Sequence, residues 1–205
     1  MSQYERMLGG RLYTLSIKDE KIEEAMANKN KFLDAFNNTA YGDFLTRAKL
    51  CEKYFKHVGK NITINKPFHC DYGSNISVGD NFYANFDCIL LDVNEIIIGN
   101  NVLLGPRVSI YTAAHPIDFE IRNSGLEYGK KIIIGNNVWI GGNTVINPGV
   151  TIGDNAVIGS NSTVTRDIPA NVIACGNPCR VLRKINDDDK KYWHNKALEF
   201  YKETK

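Results

Sequence analysis

From Ile134 the chain reads in sixes: IGNNVW, IGGNTV, INPGVT, IGDNAV, IGSNST and VTRDIP. Ile134, Ile140, Ile146, Ile152, Ile158 and Val164 hold the first place of each block, and Val138, Thr144, Val150, Ala156, Ser162 and Ile168 hold the fifth. Gly, Asn and Asp crowd the places between. A helix repeats near about 3.6 residues and a half-buried strand near about 2, so neither generates this pattern. One block is a short strand plus a tight turn, with Gly, Asn and Asp supplying the positive-φ turn conformations. A lone block cannot bury its first residue, whereas stacked coils bury equivalent residues along a common axis. The repeat therefore predicts a parallel β-helix, mainly β in class. A β-sandwich is the competing arrangement, but its turns would come about every 8–12 residues.

The pattern starts well before Ile134. Val78-Gly-Asp-Asn-Phe82 opens a block, Ala84 and Leu90 open two more, and Ile98, Leu104 and Ile110 restore the series. Between Leu90 and Ile98 the step is too long by two residues, which bulge out near Asn94. From about 113 to 131 the hexads vanish, marking an excursion loop. The repeat region thus spans 61–182. Residues 1–60 follow a helical period instead, with one stripe of Ile22, Ala25, Met26, Phe32, Leu33 and Phe36. A second stripe runs Phe44, Leu45, Ala48, Cys51, Tyr54, Phe55 and Val58, which also puts His57 in a helix. Asn37-Asn38-Thr39 and Gly42 part the two, and Asp43 suits an N-cap. Residues 183–205 predict a terminal helix: Asp187, Asp188 and Asp189 favour its start, and Trp193, Ala197, Phe200 and Tyr201 form a stripe to cover the solenoid's open end.

Composition narrows the partners. The 205 residues are 43% hydrophobic and 23% charged, and 25 Lys+Arg against 23 Asp+Glu leave a net charge of +2. No basic block argues for nucleic acid. No apolar run approaches a membrane span, and the first ten residues hold no apolar signal core. A cytoplasmic protein is expected, and its five Cys read as free thiols.

Among the four His, His57, His69, His115 and His194, only His115 stands where the repeat opens into a loop, immediately before Pro116. Loops on a rigid solenoid collect on its binding face, and imidazole is the side chain suited to take a proton near neutral pH. A surface loop residue is the plain alternative. Gly141-Gly142 offers backbone N–H groups to a developing oxyanion, or merely serves a coil corner. Asp71 and Asp92, on nearby coils, are suited to hydrogen-bond hydroxyl groups of a ligand, and Glu127, inside the loop, either contacts substrate or orients the base, or is a solvated loop glutamate. Arg166, Arg180, Arg183 and Lys184 cluster towards the C-terminal end of the repeat, where guanidinium groups match phosphate geometry, or form a solvated face. No two His share a ligand spacing on the coils, and Cys175 with Cys179 is a lone pair, so no metal is expected.

The hexads resemble those of the hexapeptide-repeat acyltransferases. Several segments resemble the maltose and galactoside O-acetyltransferase group within it: Asn81-Phe-Tyr-Ala-Asn85, Ala114-His115-Pro116, Ile134-Gly-Asn-Asn-Val-Trp139, Asn147-Pro-Gly-Val-Thr-Ile-Gly-Asp, Gly176-Asn-Pro-Cys-Arg180 and the start Gly10-Arg-Leu-Tyr13. The resemblance covers nearly the whole chain. It implies a left-handed hand for the β-helix, which crossover rules alone would not give. It also implies a homotrimer with sites between subunits, and acetyl transfer from acetyl-CoA, a cosubstrate and not a tightly bound cofactor, to a sugar hydroxyl of maltose, glucose or galactoside type. His115 matches the group's general base. Tyr83 and Asn85 match sugar contacts. Trp139, Gly142, Ser160, Thr165, Arg166, Arg180 and Arg183 match CoA contacts. The group often carries an acidic or polar side chain shortly after Leu-Tyr; this chain departs from that with Thr14-Leu15-Ser16-Ile17, so the resemblance assigns no acceptor contact there. Antibiotic or sugar-nucleotide acceptors are the alternatives within this chemistry. A zinc enzyme like the γ-carbonic anhydrases, or a scaffold without chemistry, lies outside it.

Overall fold

The hexads stack into a left-handed parallel β-helix of about six turns in the computed structural model of the protein, which describes residues 1–204. Every coil has three flat faces. The first face stacks His57–Val58, Ile76–Val78, Ile96–Ile98, Ile132–Ile134 and Thr151–Ile152. The second stacks Thr63–Ile64, Tyr83–Ala84, Leu103–Leu104, Trp139–Ile140, Val157–Ile158 and Val172–Cys175. The third stacks Phe68–Cys70, Cys88–Leu91, Ser109–Tyr111, Val145–Ile146 and Thr163–Val164. The first, second and third corners follow the faces of the same number. Val58, Val78, Ile98, Ile134 and Ile152 fall in one column, and all the first-place residues of the later hexads are buried. The first-place and fifth-place positions of the hexads thus form the core, as the period required.

The first corner explains why Asn recurs there. Asn61, Asn81, Asn101, Asn137, Asn155 and Asn171 each take a positive φ between 56° and 60°, a conformation that Asn tolerates better than other side chains. The amide Nδ2 of each of the first five then donates to the Oδ1 of the Asn one coil on, at 2.8–3.2 Å. Asn137→Ala should therefore cost about 2 kcal/mol, from left-handed strain of about 1–2 kcal/mol plus the lost side-chain bonds. Thermal unfolding at fixed protein concentration measures it, and a loss below about 0.5 kcal/mol would reject the ladder as a stabilising element.

The N-terminal region folds as α1 (Gln3–Leu8), α2 (Glu20–Asn37) and α3 (Phe44–Tyr54). Asp43 caps α3, accepting from the Thr46 N–H at 3.1 Å. Helices α2 and α3 close the first coil through Phe32, Phe36, Phe55 and Phe68, with ring centroids 5.4–6.2 Å apart. The second stripe is only partly apolar inside: Phe44 and Leu45 are exposed, while Arg47 on the same helix is buried. His57 lies in the first β-strand, not in a helix, because the chain pairs with Ser77 and Val78 as soon as α3 ends.

The C-terminal helix, α5 (Asp187–Glu203), forms behind a capping box of Asn186 and Asp189, but it does not cover the solenoid. None of its residues is buried, and Trp193, Phe200 and Tyr201 are exposed. The last coil is instead edged by Arg180–Lys184, which folds back antiparallel on Val172–Cys175. Among the described residues no helix is long and apolar enough to cross a membrane.

Candidate active site

The third corner departs from the hexad rule in three successive coils. It holds Asp71 to Asn75 in the first, Asp92 to Glu95 in the second, and the whole stretch from Thr112 to Lys131 in the third. In this last stretch Ala113–Ala114 pairs antiparallel with Tyr128–Gly129. Between them lies the short α4 (Phe119–Asn123), capped by Asp118, and the Arg122 guanidinium donates to the carbonyls of Pro116 and Ile117 at 3.0 Å. His115 leaves the outgoing strand exposed to solvent. Its successor Pro116 keeps it extended, since the residue before a proline is pushed out of the helical region. Glu127, half-buried, precedes Tyr128 on the returning strand, across from the segment that carries His115.

The N-terminal segment joins this corner. Tyr13 and Glu127 exchange both backbone hydrogen bonds, at 2.9 and 3.0 Å. Tyr13 is buried, and burial and the neighbouring Glu127 carboxylate push its hydroxyl above the ordinary tyrosine range. Tyr72 is held up in the same way, by burial and then by Asp71. Neither tyrosine was identifiable as a site residue from the repeat, because both lie outside the hexads; the Gly10-Arg-Leu-Tyr13 segment was the one signal.

The carboxylates at this corner divide by burial. Asp92 is fully buried, and its oxygens accept from the backbone N–H groups of Asp71, Tyr72 and Asn75 at 2.9–3.1 Å. It organises the turn beneath Asp71 and offers no face to an acceptor, which corrects its expected substrate contact. Burial raises its carboxyl above the usual range, and the N–H bonds act against that. Asp71 is half-buried and pushed up to about 6, by burial first, then by Asp92 and Glu127, with Lys29 opposing. A carboxyl raised in the folded state stabilises fully below its unfolded value, near about 3.8, and that contribution is lost as pH rises through about 6. Asp71→Asn should hence match the parent at pH 4 and exceed it at pH 7. The gap should reach about 1–2 kcal/mol after discounting for solvent. Unfolding curves at the two pH values test this, and a gap that does not change with pH would refute it.

A second cluster lies on the second face and corner. Tyr83, Asn85, Trp139, Gly141, Gly142 and Ser160 line a groove of about 470 Å³. Exposed Leu103 and Trp139 are neighbours in its floor, and the Tyr83 hydroxyl accepts from Asn65 Nδ2 at 3.0 Å. Gly141 must be glycine, since a Cβ there would meet Ser160 N at 2.6 Å. Its N–H is spent on the Ile158 carbonyl at 2.8 Å, whereas the Gly142 N–H has no acceptor among the described residues. Both glycines line the groove, and of the two only Gly142 keeps an N–H without an acceptor among the described residues.

The remaining expected contacts are exposed. Thr165 and Arg166 sit at the third corner after Val164, and Arg180 follows the second corner of the last coil. Arg183 is not free: its guanidinium grips Asp189 at 2.6 and 2.7 Å, tying α5 to the edge strand. Within one chain the residues fall into two groups, Tyr83, Asn85, Trp139, Gly142 and Ser160 at the second corner, and Asp71, His115 and Glu127 at the third. The third face separates them, and from Asn85 to Asp92 that is on the order of 20 Å of extended chain. Burial pushes up the thiols of Cys51, Cys70, Cys88 and Cys179, so none is poised as a thiolate nucleophile. Among the described residues no group of three or more His, Cys, Asp or Glu is arranged to hold a metal ion.

Comparison with known proteins gives a consistent likeness. Residues 131–166 match the family described as bacterial transferase hexapeptide (six repeats). The chain is 45% identical over 193 residues to a galactoside O-acetyltransferase of Escherichia coli strain K12, covering 94% of each chain. A maltose O-acetyltransferase structure from Clostridium difficile 630 superimposes with a TM-score of 0.88 at 51% identity, covering 91% of this chain and 98% of that one. A galactoside acetyltransferase in complex with coenzyme A gives a TM-score of 0.88 at 45% identity, with 93% and 94% covered.

Proposed function

Because the chain belongs to the hexapeptide-repeat acyltransferases, in the maltose and galactoside O-acetyltransferase group, we propose that it moves the acetyl group of acetyl-CoA to a hydroxyl of a sugar acceptor. The observation that carries the reading is the presence on one chain of two half-sites: a groove lined by Gly142, whose N–H has no acceptor among the described residues, and a corner that holds an exposed His115, Asp71 and Glu127.

His115 takes the proton of the acceptor hydroxyl as its oxygen attacks the thioester carbonyl. The Gly142 N–H stabilises the oxyanion of the tetrahedral intermediate. Collapse breaks the C–S bond, and the departing CoA sulfur takes the proton back from His115. No acetyl-enzyme forms. Asp71 and Glu127 hydrogen-bond the acceptor's other hydroxyls, and Tyr83 and Asn85 line its approach from the groove. Trp139 and Ser160 flank the pantetheine arm, while Thr165, Arg166 and Arg180 serve the phosphates and adenine.

Two half-sites separated by a whole face within one chain favour completion by a neighbour, so the active species is a homotrimer with the third corner of one subunit facing the second-corner groove of the next. The exposed apolar pair Leu103 and Trp139 supports a covered face there. Light scattering checks the trimer, and a fully active monomer would refute it.

The reaction is tested by thiol release from acetyl-CoA against a panel of maltose, glucose, galactosides, antibiotics and sugar nucleotides. Release that depends on a simple sugar supports the reading, and release with an antibiotic or sugar nucleotide alone replaces it. Arg180→Ala should raise the KM for acetyl-CoA by about 5–100-fold, the loss of one charge-assisted hydrogen bond. The acceptor KM should stay unchanged, and equal losses for both substrates would remove Arg180 from the cofactor site.

A further inference from the structure

The two extra residues between Leu90 and Ile98 lie at the third corner, and Asn94 is one of the residues there. Its side chain is buried. The amide Nδ2 lies 3.1 and 3.2 Å from the carbonyl oxygens of Met7 and Leu8, at the end of α1, and 3.2 Å from that of Gly129, on the returning strand of the excursion. Oδ1 accepts from the Glu95 N–H at 2.7 Å. The Asn94 N–H donates to Thr112 Oγ1 at 2.8 Å. That hydroxyl, also buried, donates to the Leu91 carbonyl at 2.7 Å. The Thr112 carbonyl accepts from Lys130 N–H at 2.9 Å, closing the base of the excursion.

Asparagine recurs elsewhere in this solenoid because corners need a positive φ, but Asn94 does not have one. What the position uses is the amide. A buried amide with its donors and acceptor taken fixes geometry, since its removal would leave the Leu8 carbonyl and the Glu95 N–H without a partner among the described residues. Gly129 completes the contact from the other side: a Cβ there would meet Val93 Cγ1 at 2.8 Å and Asn94 Cβ at 3.1 Å. The returning strand can lie this close to the solenoid only as glycine.

We propose that Asn94 is a positioning residue for the reaction, clamping the end of α1 and the returning strand of the His115 excursion onto one point of the solenoid. The inference rests on the reading of His115 as base. A rigid solenoid gives a loop no orientation by itself; the excursion's position comes from this clamp and from the Tyr13–Glu127 pairing that α1 leads into. Misplacing a reacting group by about 1 Å costs on the order of 100-fold, so small slack in the clamp is sufficient to matter.

The test uses the whole chain with Asn94→Ala and, independently, Gly129→Ala, which displaces the same strand while leaving the Asn94 side chain in place. Hydrogen exchange should accelerate at least about tenfold at the amides of Tyr13, Glu127 and Lys130, and stay unchanged at Gly135, Gly141 and Gly153 in the stacked coils. The kcat should fall about 10–100-fold with the KM for acetyl-CoA unchanged. In a His115→Ala background Asn94→Ala should cause no further loss of kcat, because it acts through that residue. Unchanged exchange in the excursion, acceleration spread evenly over the coils, or losses that add to that of His115→Ala would each overturn the proposal. Full activity of His115→Ala alone would overturn the base assignment and the catalytic half of the inference, while the exchange result still decides the clamp.

Discussion

Replacing His115 with Ala is expected to lower kcat by about 10²–10⁴, the usual range for losing a positioned base. Binding of acetyl-CoA should survive nearly intact, because the groove that receives it is lined by Trp139, Gly142 and Ser160 and not by His115. The size of the effect follows from what surrounds the residue. No second His shares the excursion, and the buried thiols offer no replacement base or nucleophile. Steady-state kinetics with isothermal titration of acetyl-CoA separates the two quantities. A variant with parental kcat would remove His115 from the mechanism. An acetylated residue trapped on the parent enzyme at a competent rate would reject direct transfer instead.

The largest expected loss of stability lies far from the chemistry. Arg47 is 1% exposed. Its Nε donates to the Ile64 carbonyl at 3.0 Å, and its two terminal nitrogens donate to Thr39 Oγ1 and to the carbonyls of Ala40 and Tyr41 at 2.9 Å. The guanidinium also stacks on Phe44, 4.6 Å from the ring centroid. It thereby ties the turn between α2 and α3 to the second face of the first coil. Arg47→Met keeps much of the volume but leaves four oxygens without their donor. The expected cost is about 3–5 kcal/mol, the range for removing one side of a buried charged hydrogen-bond set. For a chain of this size that lowers the unfolding midpoint by about 10 °C. Lys53→Met, exposed on the same helix, is the control and should shift stability by less than about 0.5 kcal/mol. Equal effects from the two substitutions would refute the role of Arg47.

The legible part of the molecule is the part that repeats. An inward Ile at each first place is demanded by stacking, so Ile134 through Val164 could be placed in the core without coordinates. His115 was legible as a break in that regularity. Arg47 was not, because its partners are backbone carbonyls, which leave no mark on the residue pattern. Asp71 and Asp92 look alike, as acids on neighbouring coils; only burial separates a carboxylate that binds the turn of the neighbouring coil from one left half-exposed. The apolar stripe of α5 was real as a pattern, but a stripe states that something should cover it, not that the same chain does. His57 was misassigned because Val58 continued the spacing of α3 by one more step, beyond the point where pairing with Ser77 takes the backbone over.

The Asn column along the first corner has a direction. All five of its bonds pass an N–H from one coil to the next, from Asn61 to Asn171. Six amide dipoles therefore point the same way, and each polarises its neighbours. Parallel and antiparallel strands carry little net dipole of their own, so this column gives the solenoid an electrical axis that its sheets do not. The oxygen of Asn61 is the negative pole at the helical end of the molecule, and the nitrogen of Asn171 is the positive pole at the last coil. Cutting the column at Asn137 leaves two short stacks in place of one, whereas cutting it at either pole removes a single link. The middle of the column thus carries the most weight for the same chemical change.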